Sequence, residues 1–153
     1  MKTHRDLCKQ VTTWFLKQSW CDLASFEISL GEGIADVIAV GKSIDPKLAI
    51  IEVKRTRADL LQDLRAKKYL KYEKNSTHVY LACTAEAFKY TGDDLFEDLQ
   101  KRGVPKKWGL LLITPSDIIV LRKASAHRAM QRDVFQTAIR KIAKSLCYKQ
   151  LKE

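Results

Sequence analysis

The segment Leu48-Ala49-Ile50-Ile51-Glu52-Val53-Lys54 has the makings of the most apolar strand in the chain, yet it carries a glutamate and a lysine two residues apart. Side chains at i and i+2 of a strand project from the same face. Glu52 and Lys54 therefore stand side by side next to a hydrophobic core, where charge is costly unless it is paired or ligated. Any fold this chain adopts has to bury that strand and give its two charges partners.

A second acid lies in the preceding apolar run, Gly33-Ile34-Ala35-Asp36-Val37-Ile38-Ala39-Val40. The segment Gly41-Lys42-Ser43-Ile44-Asp45-Pro46 between the two runs has turn composition. A hairpin closed there brings Asp36 and Glu52 onto adjacent strands, so that two carboxylates and an ammonium converge. Metal-assisted phosphodiester hydrolysis uses such a set. Mg²⁺, or Mn²⁺ in its place, is held by one or two carboxylates with phosphate and water, polarises the phosphoryl oxygen and activates the attacking water. A lysine beside it orients that water or offsets developing negative charge.

An acid, a gap and then Glu52-Val53-Lys54 on the next strand, followed by a helix, resembles the PD-(D/E)XK nuclease superfamily. The longer stretch Glu52-Val53-Lys54-Arg55-Thr56-Arg57-Ala58-Asp59, with Asp63 and the pair Tyr69 and Tyr72 beyond it, is similar to the MmcB-like branch associated with DNA repair. Residues 24 to 127 carry the resemblance, 33 to 72 most specifically. It implies a restriction-endonuclease-like αβββαβ core, with Asp36 and Glu52 as metal ligands, the Val53 carbonyl as a further ligand and Lys54 positioning the nucleophile. Two departures stand out: Ile34-Ala35-Asp36 where the branch has Arg-Ala-Asp, and Arg65-Ala66 where it has Lys-Trp.

At 153 residues, with 46% hydrophobic and 30% charged side chains, the sequence reads as one domain, residues 1–153, with a sizeable core. A formal net charge of +10 favours a polyanionic partner, nucleic acid or an anionic membrane surface, and the resemblance implies DNA. No apolar run is long enough to span a membrane, and Met1-Lys2-Thr3-His4-Arg5-Asp6 is not a signal-peptide start, which points to a soluble cytoplasmic protein. Cys8, Cys21, Cys83 and Cys147 are scattered, and His4, His78 and His127 show no ligand spacing, so reduced thiols are expected and a zinc site is not.

The expected order is a helix capped by Thr3 and Asp6 and running to about Trp20, then strands near 24–30, 34–40 and 48–53. A helix from Thr56 to about Tyr72 follows, then a strand at 78–83 and a short helix capped by Thr91 and ending near Lys101. Strands at 108–113 and 117–121 precede a final helix whose apolar face runs from Met130 to Leu146. These elements make an α/β protein with a central mixed β-sheet flanked by helices.

Glu27 on the first strand is a candidate fourth metal-site acid, with a solvent-facing glutamate as the alternative. Asp59 suits the N3 position of a capping box on Thr56, and Asp63 can hold Lys67 one turn on. Arg55, Arg57, Arg65, Lys68 and Tyr72 are candidates for nucleic-acid contact through phosphates and stacking, with a solvated helix face as the alternative. The expected activity is a Mg²⁺-dependent DNA nuclease in repair or recombination. The rival is a non-catalytic DNA-binding adaptor, and a homodimer or a repair-complex partner is compatible with either.

Each phosphate neutralised on binding releases condensed counterion, so affinity for DNA should fall linearly with salt on a log-log plot. Reversing the charge of Arg65 and Lys68 should flatten that slope in a fluorescence-anisotropy titration. An unchanged slope places the DNA on another surface.

Overall fold

The computed structural model describes residues 2–30, 33–42, 44–66, 69–89 and 94–152. Thr3 and Asp6 form the expected capping box, each side chain accepting the other's backbone N–H, and helix α1 (His4–Leu16) follows. It stops short of Trp20, because residues 17–21 are taken into turns that feed strand β1 (Leu23–Ser29). Strands β2 (Ile34–Gly41) and β3 (Lys47–Lys54) complete an antiparallel meander, with Val37 opposite Ile51.

A parallel neighbour needs a crossover. Helices α2 (Arg57–Ala66) and α3 (Tyr69–Lys74) supply it, delivering the chain to β4 (His78–Thr84) beside β3. The single helix expected over this stretch is thus two described segments, and Lys67 and Lys68 between them lie outside the described residues. Thr84 caps a short helix that the sequence pattern did not reveal, α4 (Ala85–Phe88). Helix α5 (Leu95–Lys101) then leads to β5 (Gly109–Ile113), parallel to β4. Thr91, the expected cap of α5, lies outside the described residues. A turn held by Thr114 and Asp117 returns β6 (Ile118–Arg122) antiparallel to β5.

The result is an open, mixed six-stranded sheet in sequential order, β1-β2-β3-β4-β5-β6, and the αβββαβ order is present. One face is covered by α1, whose Leu7, Val11 and Phe15 pack on Val37, Ala39, Ala49, Ile51 and Val53. On the other face Leu60, Phe88, Leu99 and Trp108 cover β4 and β5. The last helix, α6 (Arg132–Lys152), lays Ala138 and Ile142 on Ile38, Val40, Leu48 and Ile50. Leu146, expected on that apolar face, is 40% exposed. Steps of four residues rotate a stripe by about 40° each, so it turns away from the sheet within two steps.

Toward the end of α6, Lys149 ties the helix to the edge strand. Its ammonium donates to Ser25 Oγ at 3.2 Å and to the Phe26 carbonyl at 2.6 Å, and sits 3.6 Å from the centre of the Phe26 ring. At the other end of the meander, Gly41 lets two segments touch. A Cβ there would lie 1.9 Å from the Trp20 carbonyl oxygen, a backbone atom that no rotamer change can move aside.

Gly41→Ala is therefore expected to destabilise the fold by about 1–3 kcal/mol, the range for forced overpacking, or more. The measurement is the urea unfolding midpoint, and an unshifted midpoint would contradict the close approach.

Candidate active site

A reversal in the first two strands builds the site. Phe26 pairs with Val37 and Ile28 with Ala35, which brackets Glu27 and Asp36 between them. Before the bracket Ala24 and Phe26 face α1, as do Val37 and Ala39 across the ladder; beyond it Ile28 and Ala35 join the opposite core, under α6. Glu27 absorbs the change with a left-handed backbone, φ 55°. Asp36 is left at the crossing, where its carboxylate reaches both sides of the sheet.

On the α1 side, Asp36 Oδ2 lies 3.5 Å from His4 Nε2, and it also accepts the Val53 N–H at 2.8 Å. Continuing the β2–β3 register one residue past Val37 and Ile51 sets Asp36 opposite Glu52. Strand alternation places Glu52 on the face of Ile50, toward α3 and α6. Regular alternation would hold Asp36 and Glu52 on that one face; the reversal also opens Asp36 to the α1 side, so that the two acids meet at the end of the sheet with His4 beyond Asp36.

Glu52 is 3% exposed, and its Oε1 has no hydrogen-bond partner among the described residues. Burial, then the neighbouring Asp36 carboxylate, pushes its acid well above the ordinary range. Asp36 moves the other way. Burial would raise it, but His4, Glu52 and the Val53 N–H together hold it below its usual value. The pair thus prefers one negative charge to two. Lys54 Nζ stands 3.7 Å from Glu52 Oε2 and makes a closer ion pair with Asp63. Burial opposes its charge, yet the Asp63 hydrogen bond and the Glu52 charge outweigh burial and raise its pKa. The half-buried Tyr72 phenol is pushed up by burial and then by Glu52.

Asp36, Glu52, Val53 and Lys54 thus stand together. Glu27 does not join Glu52. Its exposed carboxylate pairs with Arg5 of α1 at 3.9 Å, on the other side of the sheet, because the left-handed turn at this residue redirects it. Asp63 holds Lys54 across the crossover, the partner expected for it, Lys67, lying outside the described residues. The Asp59 N–H is received by Thr56 Oγ1 at 3.2 Å, as a helix cap requires.

The basic candidates divide. Arg57 is turned into the protein: its guanidinium donates to the Phe88 carbonyl and to Asp98 Oδ2, both at 3.0 Å, and so anchors α2 to α4 and α5 instead of facing a ligand. Arg65 is exposed on α2, and Arg55 borders a groove with Lys2, Thr84 and Pro115. Lys68 lies outside the described residues. Tyr72 packs into the cores beneath α2 and α6 and borders a pocket of about 220 Å³ with Ala35, Ile50 and Lys71.

His4 and Cys8 were not anticipated as site residues. They sit one helical turn apart on α1, and their ligand atoms lie within 4.8 Å of each other and of an Asp36 oxygen. The i, i+4 spacing of His4 and Cys8 behind the Thr3 cap was the available signal; the carboxylate that meets them comes from a distant strand.

No protein-family model and no curated protein matches this chain. Among solved structures it is similar to a protein of unknown function from Silicibacter pomeroyi, with 19% identity and a TM-score of 0.68 over 94% of this chain and 86% of that one. That likeness shows the α/β fold. Among the described residues no helix is long and apolar enough to cross a membrane.

The raised acid of Glu52 has a sign in stability. Its contribution is fully present below its ordinary value of 4.5 and is lost as pH rises through the folded-state value, because the folded protein must then ionise a buried group. Glu52→Gln should therefore melt above the wild type at neutral pH without metal, with the gap closing as pH falls toward 4.5. Thermal melts across that range check it, and a gap that widened on acidification would reverse the assignment.

Proposed function

We propose that this protein is a Mg²⁺- or Mn²⁺-dependent DNA nuclease of the PD-(D/E)XK kind. The observation that carries the reading is the buried Glu52 carboxylate, which has one oxygen unpartnered among the described residues while it faces a second carboxylate and a lysine. A buried acceptor without a partner is expensive, and a hard cation satisfies it. Asp36, Glu52 and the Val53 carbonyl supply the all-oxygen donor set such a cation takes.

When bound, the cation would polarise the scissile phosphate and lower the pKa of the attacking water. Asp36 and Glu52 hold its position, and their mutual repulsion gives them a reason to bind it. Asp63 clamps the Lys54 ammonium beside Glu52, fixing a point charge where negative charge grows on phosphorus. The net charge of +10 draws in the polyanion, and exposed Arg65 with Arg55 beside its groove offers phosphate contacts. A cytoplasmic setting and a role in DNA repair or recombination belong to the same reading.

Asp36→Ala, Glu52→Ala and Lys54→Ala are each expected to lower the cleavage rate by about 10²–10³-fold, the scale for losing one electrostatic stabiliser. The assay is a panel of linear, flapped, branched and single-stranded DNA with Mg²⁺ or Mn²⁺. Cleavage at the wild-type rate by Glu52→Ala would place the active site elsewhere. The same ions at millimolar level should raise the melting temperature of the wild type, since they bind the folded state only, and should not do so in Glu52→Gln. Metal stabilisation without cleavage of any DNA form would favour the binding adaptor.

A further inference from the structure

The donors around Asp36 are of two chemical kinds. Toward β3 they are oxygens, Glu52 and the Val53 carbonyl. Toward α1 they are a nitrogen and a sulfur: His4 Nε2 lies 3.5 Å from Asp36 Oδ2, and Cys8 Sγ lies 3.9 Å from His4 Nε2. Among the described residues, His4, Cys8 and Asp36 offer three ligand atoms within 4.8 Å of one another.

Imidazole and thiolate suit Zn²⁺ and its borderline-soft neighbours and are poor ligands for Mg²⁺. Tetrahedral zinc with ordinary bond lengths separates a nitrogen from an oxygen by about 3.4 Å and a sulfur from a nitrogen by about 3.6 Å. The two separations from His4 Nε2 need only a few tenths of an ångström of contraction, and the sulfur lies within 4.8 Å of the carboxylate oxygen.

The scaffold suits a metal as well as the donors do. Cys8 is fully buried and Asp36 largely so, while His4, half exposed, leaves a way in. Both α1 ligands lie in the helix's first turns, one turn apart, their placement set by the Thr3–Asp6 capping box. The carboxylate is oriented from behind by the Val53 N–H at 2.8 Å, the kind of outer hydrogen bond that fixes a ligand's direction.

We propose that His4, Cys8 and Asp36 form a zinc site on the α1 side of the sheet, sharing Asp36 with the oxygen-lined site around Glu52. The ligand set stands on its own geometry. Its consequence rests on the nuclease reading: zinc held by His4 and Cys8 takes the Asp36 carboxylate from the hard cation, so zinc inhibits Mg²⁺-dependent cleavage.

The test is a zinc titration of the full chain in competition with a chromophoric chelator, followed by Co²⁺ substitution read by absorption. Cys147 is exposed and could bind metal adventitiously, so Cys147→Ser is the parent. One zinc per chain is expected, with thiolate-to-cobalt charge-transfer absorption in the Co²⁺ form. Cys8→Ser should lose that absorption and the tight zinc. His4→Ala, at a half-exposed position, should lose the tight zinc too. Glu52→Gln should keep both while losing the Mg²⁺ response.

Zinc retained undiminished by Cys8→Ser and His4→Ala, or cobalt bound without thiolate absorption, overturns the site. Zinc should also suppress cleavage by the parent and not by His4→Ala, and equal suppression of both overturns the shared carboxylate. If no DNA is cut under any condition while the zinc pattern holds, the nuclease reading fails and the zinc site stands.

Discussion

Asp36 accepts the Val53 N–H at 2.8 Å, and the polar end of the sheet depends on that bond. It ties a β2 side chain to the β3 backbone at the place where the ladder would otherwise carry a regular pair. The side-chain alternation of β1 and β2 reverses there, and Glu27 takes the left-handed conformation that the reversal needs. Without it, Asp36 would belong to one layer and could not stand between an α1 histidine and a β3 glutamate. The backbone irregularity is what gives one carboxylate two sets of neighbours.

Electrostatics then divide the labour among groups that look alike in sequence. Both acids are buried, but burial raises Glu52 while hydrogen bonds hold Asp36 down, so one is inclined to keep a proton and the other a charge. His4 is lifted to about 11 by its hydrogen bond to Asp36 first and by Cys8 second, against the pull of burial. Lys54 stays charged because Asp63 meets it from the crossover helix α2. The cluster runs from α1 to α2 across the strand ends, with the two acids side by side at its middle and a basic group, His4 or Lys54, on either side of them.

The basic surplus is likewise not one surface. Arg57 donates to α4 and to Asp98, Lys149 to β1, and Arg122 to the Trp108 and Pro105 carbonyls. Each of these cations is spent on holding elements together. Arg65 remains exposed and Arg55 borders a groove near the site.

The meander and the adjacency of Asp36 to Glu52 and Lys54 are legible in the chain's local pattern. Apolar runs separated by turn residues mark strands and their order, and period-two alternation shows which side chains share a face wherever it runs unbroken, as it does for Glu52 and Lys54 in β3. The Thr3 and Thr56 caps were legible for the same reason, since their partners lie three residues away. What lay beyond local spacing came from the packing of the layers: that Glu27 turns to Arg5, that Asp63 meets Lys54, that Arg57 is turned into the protein, and that His4 and Cys8 close on Asp36. Those contacts join elements distant in the chain. Their geometry is set by a backbone reversal and by packing between layers, neither of which leaves a period in the sequence.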